Sequence, residues 1–382
     1  MKVKPTKIFV RLYILLIFAC VCVDHSYGHV IYGTAVSQQG RRSSSARLDA
    51  QVDSYINQQM RKYKIPGLSV AVVKKGRVVK LKGYGIANVE FDVPANSNTV
   101  YQLFSVSKIF AGVAILKLVD EGKLSLDTPV TELLPNAPRK WNSISLRNLL
   151  THTSGLPDMS ANPRFACLSE DKKKRVTPDE EIALLAELPL KFQPGSSWSY
   201  HLSGYHLLGF IIQRLTKKSY AAFLEEKIFS PLRMASTKFG GTEAQVIKRR
   251  SSTSYNVQTG QLTGWIYPFT PRDYPAAALN SSAEDLAGFM IALDSGRVVR
   301  KESLEEMWAP VELNSGTHKP YGLGWTVDEY KDRTVVGHEG GGAIWLAHFP
   351  KEQLSVVILC NLNGARADEI QYGVADFYLE RR

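Results

Sequence analysis

The sequence predicts an α+β (mixed α/β) fold: an antiparallel sheet built from both ends of the chain, flanked by helices, with a mostly helical subdomain inserted in its middle. Three observations lead there. Near the N-terminal side, Leu68–Val73 and Val78–Tyr84 are β-rich and flank the turn Lys74-Lys75-Gly76-Arg77, the pattern of a hairpin. The C-terminal third alternates strand and turn over Gly322–Val327, Arg333–Val336, Ala343–Phe349 and Leu354–Leu359. Between them, residues from about 123 to 275 read as helices and loops. Strands at both ends with helices between imply one sheet with an insertion.

The elements follow in order. Leu48–Tyr63 has helical spacing. Ser105–Asp120 is a strong helix with Phe110, Val113, Ala114, Leu116, Leu118 and Val119 on its apolar faces, and Gly122 as a stop. Helices are expected at Leu146–Leu150, Pro178–Ala186, Ser203–Leu215 and Tyr220–Ile228, with an exposed charged loop over Leu168–Arg175. Ser282 is placed to N-cap a helix running to Leu293, with Asp285 in its first turn. A last helix is expected over about Asp368–Tyr378.

Composition narrows the classes. The 382 residues are 44% apolar and 22% charged, ordinary values for a globular chain. Net charge is +11. Residues 1–28 read as a signal peptide: a basic segment Lys2–Arg11, about 12 apolar residues from Leu12 to Val23, and small Ser26 and Gly28 before a cleavage point. That leader carries +3, from Lys2, Lys4, Lys7 and Arg11 against Asp24, leaving about +8 on the remainder. Two alternatives stand beside cleavage, a lipoprotein signal at Cys20 and an uncleaved anchor. The expectation is an exported protein, secreted or periplasmic, meeting the membrane only through that segment. Residues 29–47 read as a flexible lead-in to one domain over 48–382. No Lys/Arg run is interleaved with aromatics, which argues against nucleic acid. Cys167 and Cys360 are too few for a disulfide framework, though one bridge is open to them. No Cys/His cluster has zinc spacing, and no metal or cofactor is expected. His201 and His206, five apart, do not make a helical metal pair. The expected partner is a small-molecule or peptide substrate; the oligomeric state is left open.

The chemistry centres on Ser105-Val106-Ser107-Lys108. Residues three apart share a helix face, so Lys108 can bring its amine to the Ser105 hydroxyl, whereas Ser107 points about 100° away. A lysine that takes the serine proton must be neutral. Burial and the positive end of the helix dipole both push that way. Lowering its pKa from about 10.4 to about 7.5 costs roughly 4 kcal/mol. A second Ser-x-x-Lys, Ser169–Lys172, lies among charges with nothing apolar to dry its lysine. The Gly-x-Ser-x-Gly of α/β-hydrolases is absent from the chain.

Further elements occur in order: Tyr200 after Pro194-Gly195, and Gly337-His338-Glu339-Gly340-Gly341 much later. With Ser105-x-x-Lys108 they resemble the serine β-lactamase and penicillin-binding protein superfamily, nearest to its class C β-lactamase, D-Ala-D-Ala carboxypeptidase, D-aminopeptidase and esterase branch. Leu149–Leu156, Tyr321–Trp325 and Ala283–Ala287 resemble it too, and the resemblance covers roughly residues 48–380. It implies a β-lactamase/transpeptidase-like fold and an acyl-enzyme serine hydrolase. Ser105 would be the nucleophile, Lys108 its base and Tyr200 a proton relay to the leaving group. His338 would orient substrate or stabilise its carboxylate. Gly340 closes the third motif, and the backbone N–H groups of Gly341 and Ser105 would form the oxyanion hole. His152 is expected to brace a loop. Two departures matter. Tyr200-His201-Leu202 has leucine where the family commonly has asparagine, and His338-Glu339 replace Lys-Thr. Both fit an esterase or peptidase better than an efficient β-lactamase. The competing reading is a binding or scaffold protein that keeps the fold.

Overall fold

In the computed structural model, residues 31–240, 254–258, 261–265, 267 and 269–380 are described; the signal segment expected over 1–28 lies outside them. The chain divides into two units, residues 1–48 and 49–382. Helix α1 runs Ile31–Tyr63, so helix occupies the stretch expected to be a flexible lead-in. Helix growth is cooperative: once the Leu48–Tyr63 segment is helical, each added residue gains a hydrogen bond without a new nucleus.

The second unit is organised on a seven-stranded antiparallel sheet. Its strands are β1 (Gly67–Lys74), β2 (Arg77–Asn88), β3 (Val93–Pro94), β4 (Thr326–Tyr330), β5 (Arg333–Gly340), β6 (Ile344–Phe349) and β7 (Leu354–Cys360). The order is β4-β5-β6-β7-β1-β2-β3. The two ends of the chain thus meet at the centre, where Leu68 pairs with Cys360 on one side and Tyr84 on the other. The β1–β2 turn puts Lys75 at φ 50° and Gly76 at φ 70°, both left-handed, as a tight hairpin matched to strand twist requires. Every residue of β7 is buried, because helix α5 (Ala283–Asp294) and helix α6 (Ala367–Asp376) both pack on it. Ser282 caps α5, its hydroxyl accepting from the Asp285 N–H at 3.2 Å.

Between the halves of the sheet lie α2 (Ser107–Asp120), α3 (Pro178–Ala186) and α4 (Ser203–Thr216), with shorter helical turns such as Leu146–Leu150. Strands Val100–Gln102, Lys238–Phe239 and Leu279–Ser282 form a small second sheet.

Several expectations are corrected. The strand expected from Gly322 begins only at Thr326. Gly322–Trp325 instead presses against neighbouring backbone: a Cβ on Gly322 would sit 2.2 Å from the Met307 carbonyl oxygen, and one on Gly324 would sit 2.6 Å from that of Lys108. The glycines there serve close approach, not a ladder. The helix expected over Tyr220–Ile228 is α-helical only to Leu224 and continues as a wider π turn over Glu225–Phe229. The loop expected over Leu168–Arg175 contains a helical turn, Glu170–Lys174, because Ser169 accepts a hydrogen bond from the Lys172 N–H and so acts as its N-cap. Cys167 is exposed and Cys360 buried, and both are free, so the bridge left open to them is not made.

Candidate active site

The site assembles where α2 begins, between the end of β5 and the start of α4. Ser105 lies on a single 3₁₀ turn, Phe104–Val106, that runs directly into α2, so the α-helix begins two residues after the expected start at Ser105. Phe104 enters that turn at φ 48°, a left-handed conformation that is strained for an aromatic residue. Ser107 turns away: its hydroxyl accepts from the Leu279 N–H at 3.0 Å and ties the helix to the small sheet.

Lys108 is completely buried. Its amine lies 3.3 Å from Ser105 Oγ and donates to the Ala276 carbonyl at 2.8 Å. Burial lowers its pKa to about 7, against the opposing pull of Asp158 and Glu339. At pH 7 about half the molecules then hold a neutral amine, compared with roughly one in 2,500 for free lysine. The Tyr200 hydroxyl donates to Ser105 Oγ at 2.8 Å from the other side. Burial raises the Tyr200 pKa, only partly offset by the bond to Ser105, so the phenol stays protonated and is a donor.

Tyr200 is held from behind by His152, whose ring centroid is 4.4 Å away. His152 is fully buried at φ 62°, its pKa driven down by burial, and it packs against Tyr205 and Tyr321. That is a bracing role. Leu202 holds the N-cap position of α4 without a side-chain cap, and its N–H donates to Asp158 Oδ1 at 3.0 Å.

Strand β5 forms the opposite wall. His338 Nδ1 lies 2.6 Å from the Glu339 carbonyl and Nε2 lies 2.9 Å from the Tyr321 hydroxyl. Burial lowers its pKa to about 3, with Lys108 adding to the effect and the Glu339 carbonyl opposing it. The ring is therefore neutral, a donor from Nδ1 and an acceptor at Nε2. A neutral ring offers no charge to a substrate carboxylate. A Cβ on Gly340 would lie 2.2 Å from the Leu103 carbonyl oxygen, and one on Gly341 (φ 58°) would touch the Phe104 ring at 3.0 Å. Both glycines let β5 close onto the Ser105 turn. The Gly342 N–H donates to the Glu339 carboxylate.

These groups open on a cleft of about 570 Å³ that brings Ser105, Tyr200, His338 and Gly341 together. Trp198, Pro320 and Tyr321 give it an aromatic and apolar wall, and Asp328 and Glu339 its only charged side chains among the described lining residues. Trp198, Asp328 and the Ala276 carbonyl were not singled out from sequence. No motif marks them, and only the chain's return past Ser105 makes them neighbours. No group of three or more His, Cys, Asp or Glu suited to a metal occurs among the described residues. Ser169 is exposed, does not line this cleft, and its hydroxyl is engaged as a cap.

A dry lysine and a phenol flanking one serine, facing a glycine-bordered strand, define a class of serine-active site. A family model described as Beta-lactamase matches residues 52–378, and the chain belongs to that family. It is 30% identical over 326 residues to Protein flp of Staphylococcus aureus (strain MW2), which covers 82% of this chain and 63% of that protein. It is 29% identical over 294 residues to Penicillin-binding protein 4* of Bacillus subtilis (strain 168), covering 72% and 62%. The chain thus spans a little under two thirds of the length of these relatives. Among solved structures, the octameric penicillin-binding protein homologue from Pyrococcus abyssi superposes with a TM-score of 0.73 at 28% identity, covering 85% of this chain and 76% of that one.

Proposed function

We propose that the protein is a serine hydrolase working through an acyl-enzyme, with a preference for esters and neutral amides over β-lactams. The observation that carries this reading is the fully buried Lys108 amine, 3.3 Å from Ser105 Oγ, with the Tyr200 hydroxyl 2.8 Å away on the other side. In this scheme neutral Lys108 takes the Ser105 proton as Oγ attacks the substrate carbonyl. The developing oxyanion faces the N–H groups of Ser105 and Gly341. Tyr200 relays that proton from Lys108 to the leaving group; water, deprotonated by the same lysine, then attacks the acyl carbonyl, and the proton returns to Ser105 Oγ as the acid leaves.

The preference rests on charge. β-Lactams and D-Ala-D-Ala peptides carry a carboxylate. The described lining of the cleft has two carboxylates, Asp328 and Glu339, no lysine or arginine, and a neutral His338. Like charges disfavour a carboxylate-bearing substrate, and Leu202 offers no side-chain amide to hold one. Export remains part of the reading through the leader at residues 1–28. Among the described residues, no helix is long and apolar enough to cross a membrane. The test is covalent labelling of Ser105 by a fluorophosphonate, followed by a hydrolysis screen of p-nitrophenyl esters, nitrocefin and D-amino-acid peptides. A protein that resists labelling and hydrolyses none of them would be a binding protein on this fold.

A further inference from the structure

Behind Lys108 lies a buried charge cluster that this reaction scheme does not use. Glu181 of α3 is fully buried and His206 of α4 is 5% exposed. His206 Nδ1 lies 2.6 Å from Glu181 Oε1, and Nε2 lies 3.3 Å from Asp273 Oδ1. A neutral imidazole donates from one nitrogen only, so one carboxylate would face a lone pair. Only the imidazolium presents an N–H toward each carboxylate: the contact to Glu181 is a hydrogen bond, and the contact to Asp273 is an ion pair.

Asp273 starts the turn that reaches the active site. Its Oδ2 accepts from the Thr270 N–H and hydroxyl, both at 2.7 Å. Its carbonyl accepts from the N–H groups of Ala276 and Ala277, each at 2.9 Å. The Ala276 carbonyl in turn receives the Lys108 amine at 2.8 Å. One turn along α4 from His206, a Cβ on Gly209 would lie 2.5 Å from Pro275 Cγ. Helix and turn are therefore in close contact at both ends of one helix face.

We infer that His206 is a positioning residue for Lys108: bridging Glu181 and Asp273 as an imidazolium, it clamps the 270–278 turn on α4 so that Ala276 holds the amine against Ser105. The inference rests on the serine-nucleophile reading above. It implies a pH window. Burial would lower the His206 pKa, but Glu181 and Asp273 outweigh it and raise the value to about 9. Because that lies above the unfolded value of about 6.5, the clamp is complete below about pH 6.5 and is lost as pH rises through about 9. The other charged or titratable groups nearby are Arg272, 3.8 Å from Asp273 Oδ1, His201 ahead of α4, held neutral chiefly by burial, and Lys108 beyond the turn. The phenols of Tyr200, Tyr205 and Tyr321 are all pushed upward by burial and do not titrate near 9.

The test compares the intact protein with His206→Gln in the pH dependence of fluorophosphonate labelling, and follows the Lys108 ε-carbon by NMR in ¹³C-lysine-labelled protein. The wild-type rate should rise near pH 7 and fall near pH 9. His206→Gln, permanently uncharged, should lose the alkaline limb and label about tenfold more slowly at pH 7.5. Its Lys108 should titrate about one unit higher as the turn loosens and water enters. A wild-type rate flat to pH 10 overturns the inference, as does a slowed variant that keeps the alkaline limb, or one with unchanged Lys108 titration. If His206→Gln fails to fold, the His206 ring titration in the wild type decides: a midpoint near 9, matching the alkaline limb, supports the clamp, and one below 7 refutes it. A wild type that resists labelling counts against the serine-nucleophile reading, and the lysine titration then decides the clamp alone.

Discussion

Replacing Lys108 by methionine should stabilise the protein while abolishing its chemistry. The amine is fully buried and titrates at about 7 instead of 10.5. Between those values the unfolded chain binds the proton that the folded chain rejects, so the fold grows more stable as pH rises from about 7 to about 10.4. At about 1.36 kcal/mol per unit, keeping this lysine costs of order 4–5 kcal/mol below pH 7 and nothing above about 10.4. Methionine has similar volume and no charge. It forfeits the contacts to Ala276 and Ser105, about 1 kcal/mol each. The net expectation is a gain of about 2–3 kcal/mol at pH 6, vanishing or turning slightly negative by pH 10. Guanidinium denaturation of both proteins at pH 6, 7.5 and 10 measures it. Fluorophosphonate labelling of the variant should fall by about 10²-fold or more. Lys108→Arg should be equally inactive yet less stable at every pH, because a buried guanidinium cannot shed its proton. A methionine variant less stable than wild type at pH 6, or a difference unchanged between pH 6 and pH 10, would show that the lysine is not held dry.

Other outcomes follow from the same geometry. Ser105→Ala should abolish labelling, whereas Ser169→Ala should leave it intact and cost at most about 1 kcal/mol of stability through the lost cap; labelling and thermal melts separate the two. For the purified enzyme, kcat/KM for short-chain p-nitrophenyl esters should exceed that for nitrocefin; the reverse order would remove the argument from Leu202 and the acidic lining. Gly340→Ala forces a Cβ to 2.2 Å from the Leu103 carbonyl oxygen, so it should cost about 1–3 kcal/mol and slow labelling at least tenfold by moving β5 off the Ser105 turn; unchanged rates would mean that the strand's closeness does not matter. Intact-mass analysis of the exported protein should find it beginning near His29, and a mature chain that retains Met1–Val23 would mean an anchor.

What the sequence by itself determined was local. Two β-rich runs flanking the turn Lys74-Lys75-Gly76-Arg77 specified β1 and β2. The Ser282 cap, the Pro178 start and the Gly122 stop placed helix ends within a residue or two, because caps and breakers act over a single turn. Ser105 and Lys108 were legible as a pair for the same reason: three residues of helix put them together whatever the rest of the chain does. Tyr200 and His338 came from a family resemblance, since nothing local in residues 200 or 338 points to residue 105. Only the tertiary structure decided the rest. It set the dryness that brings Lys108 to about 7, which depends on every segment that excludes water from one amine. It made His338 neutral through burial, with Lys108 adding to the effect. It turned the glycines of Gly322–Trp325 from a predicted strand into a close backbone contact. It also joined Glu181, His206 and Asp273, 92 residues apart from first to last in the sequence, into one cluster behind the site. Hydrogen bonds within a turn are written into neighbouring residues; solvent exclusion and charge pairing across a core depend on the packing of the whole fold.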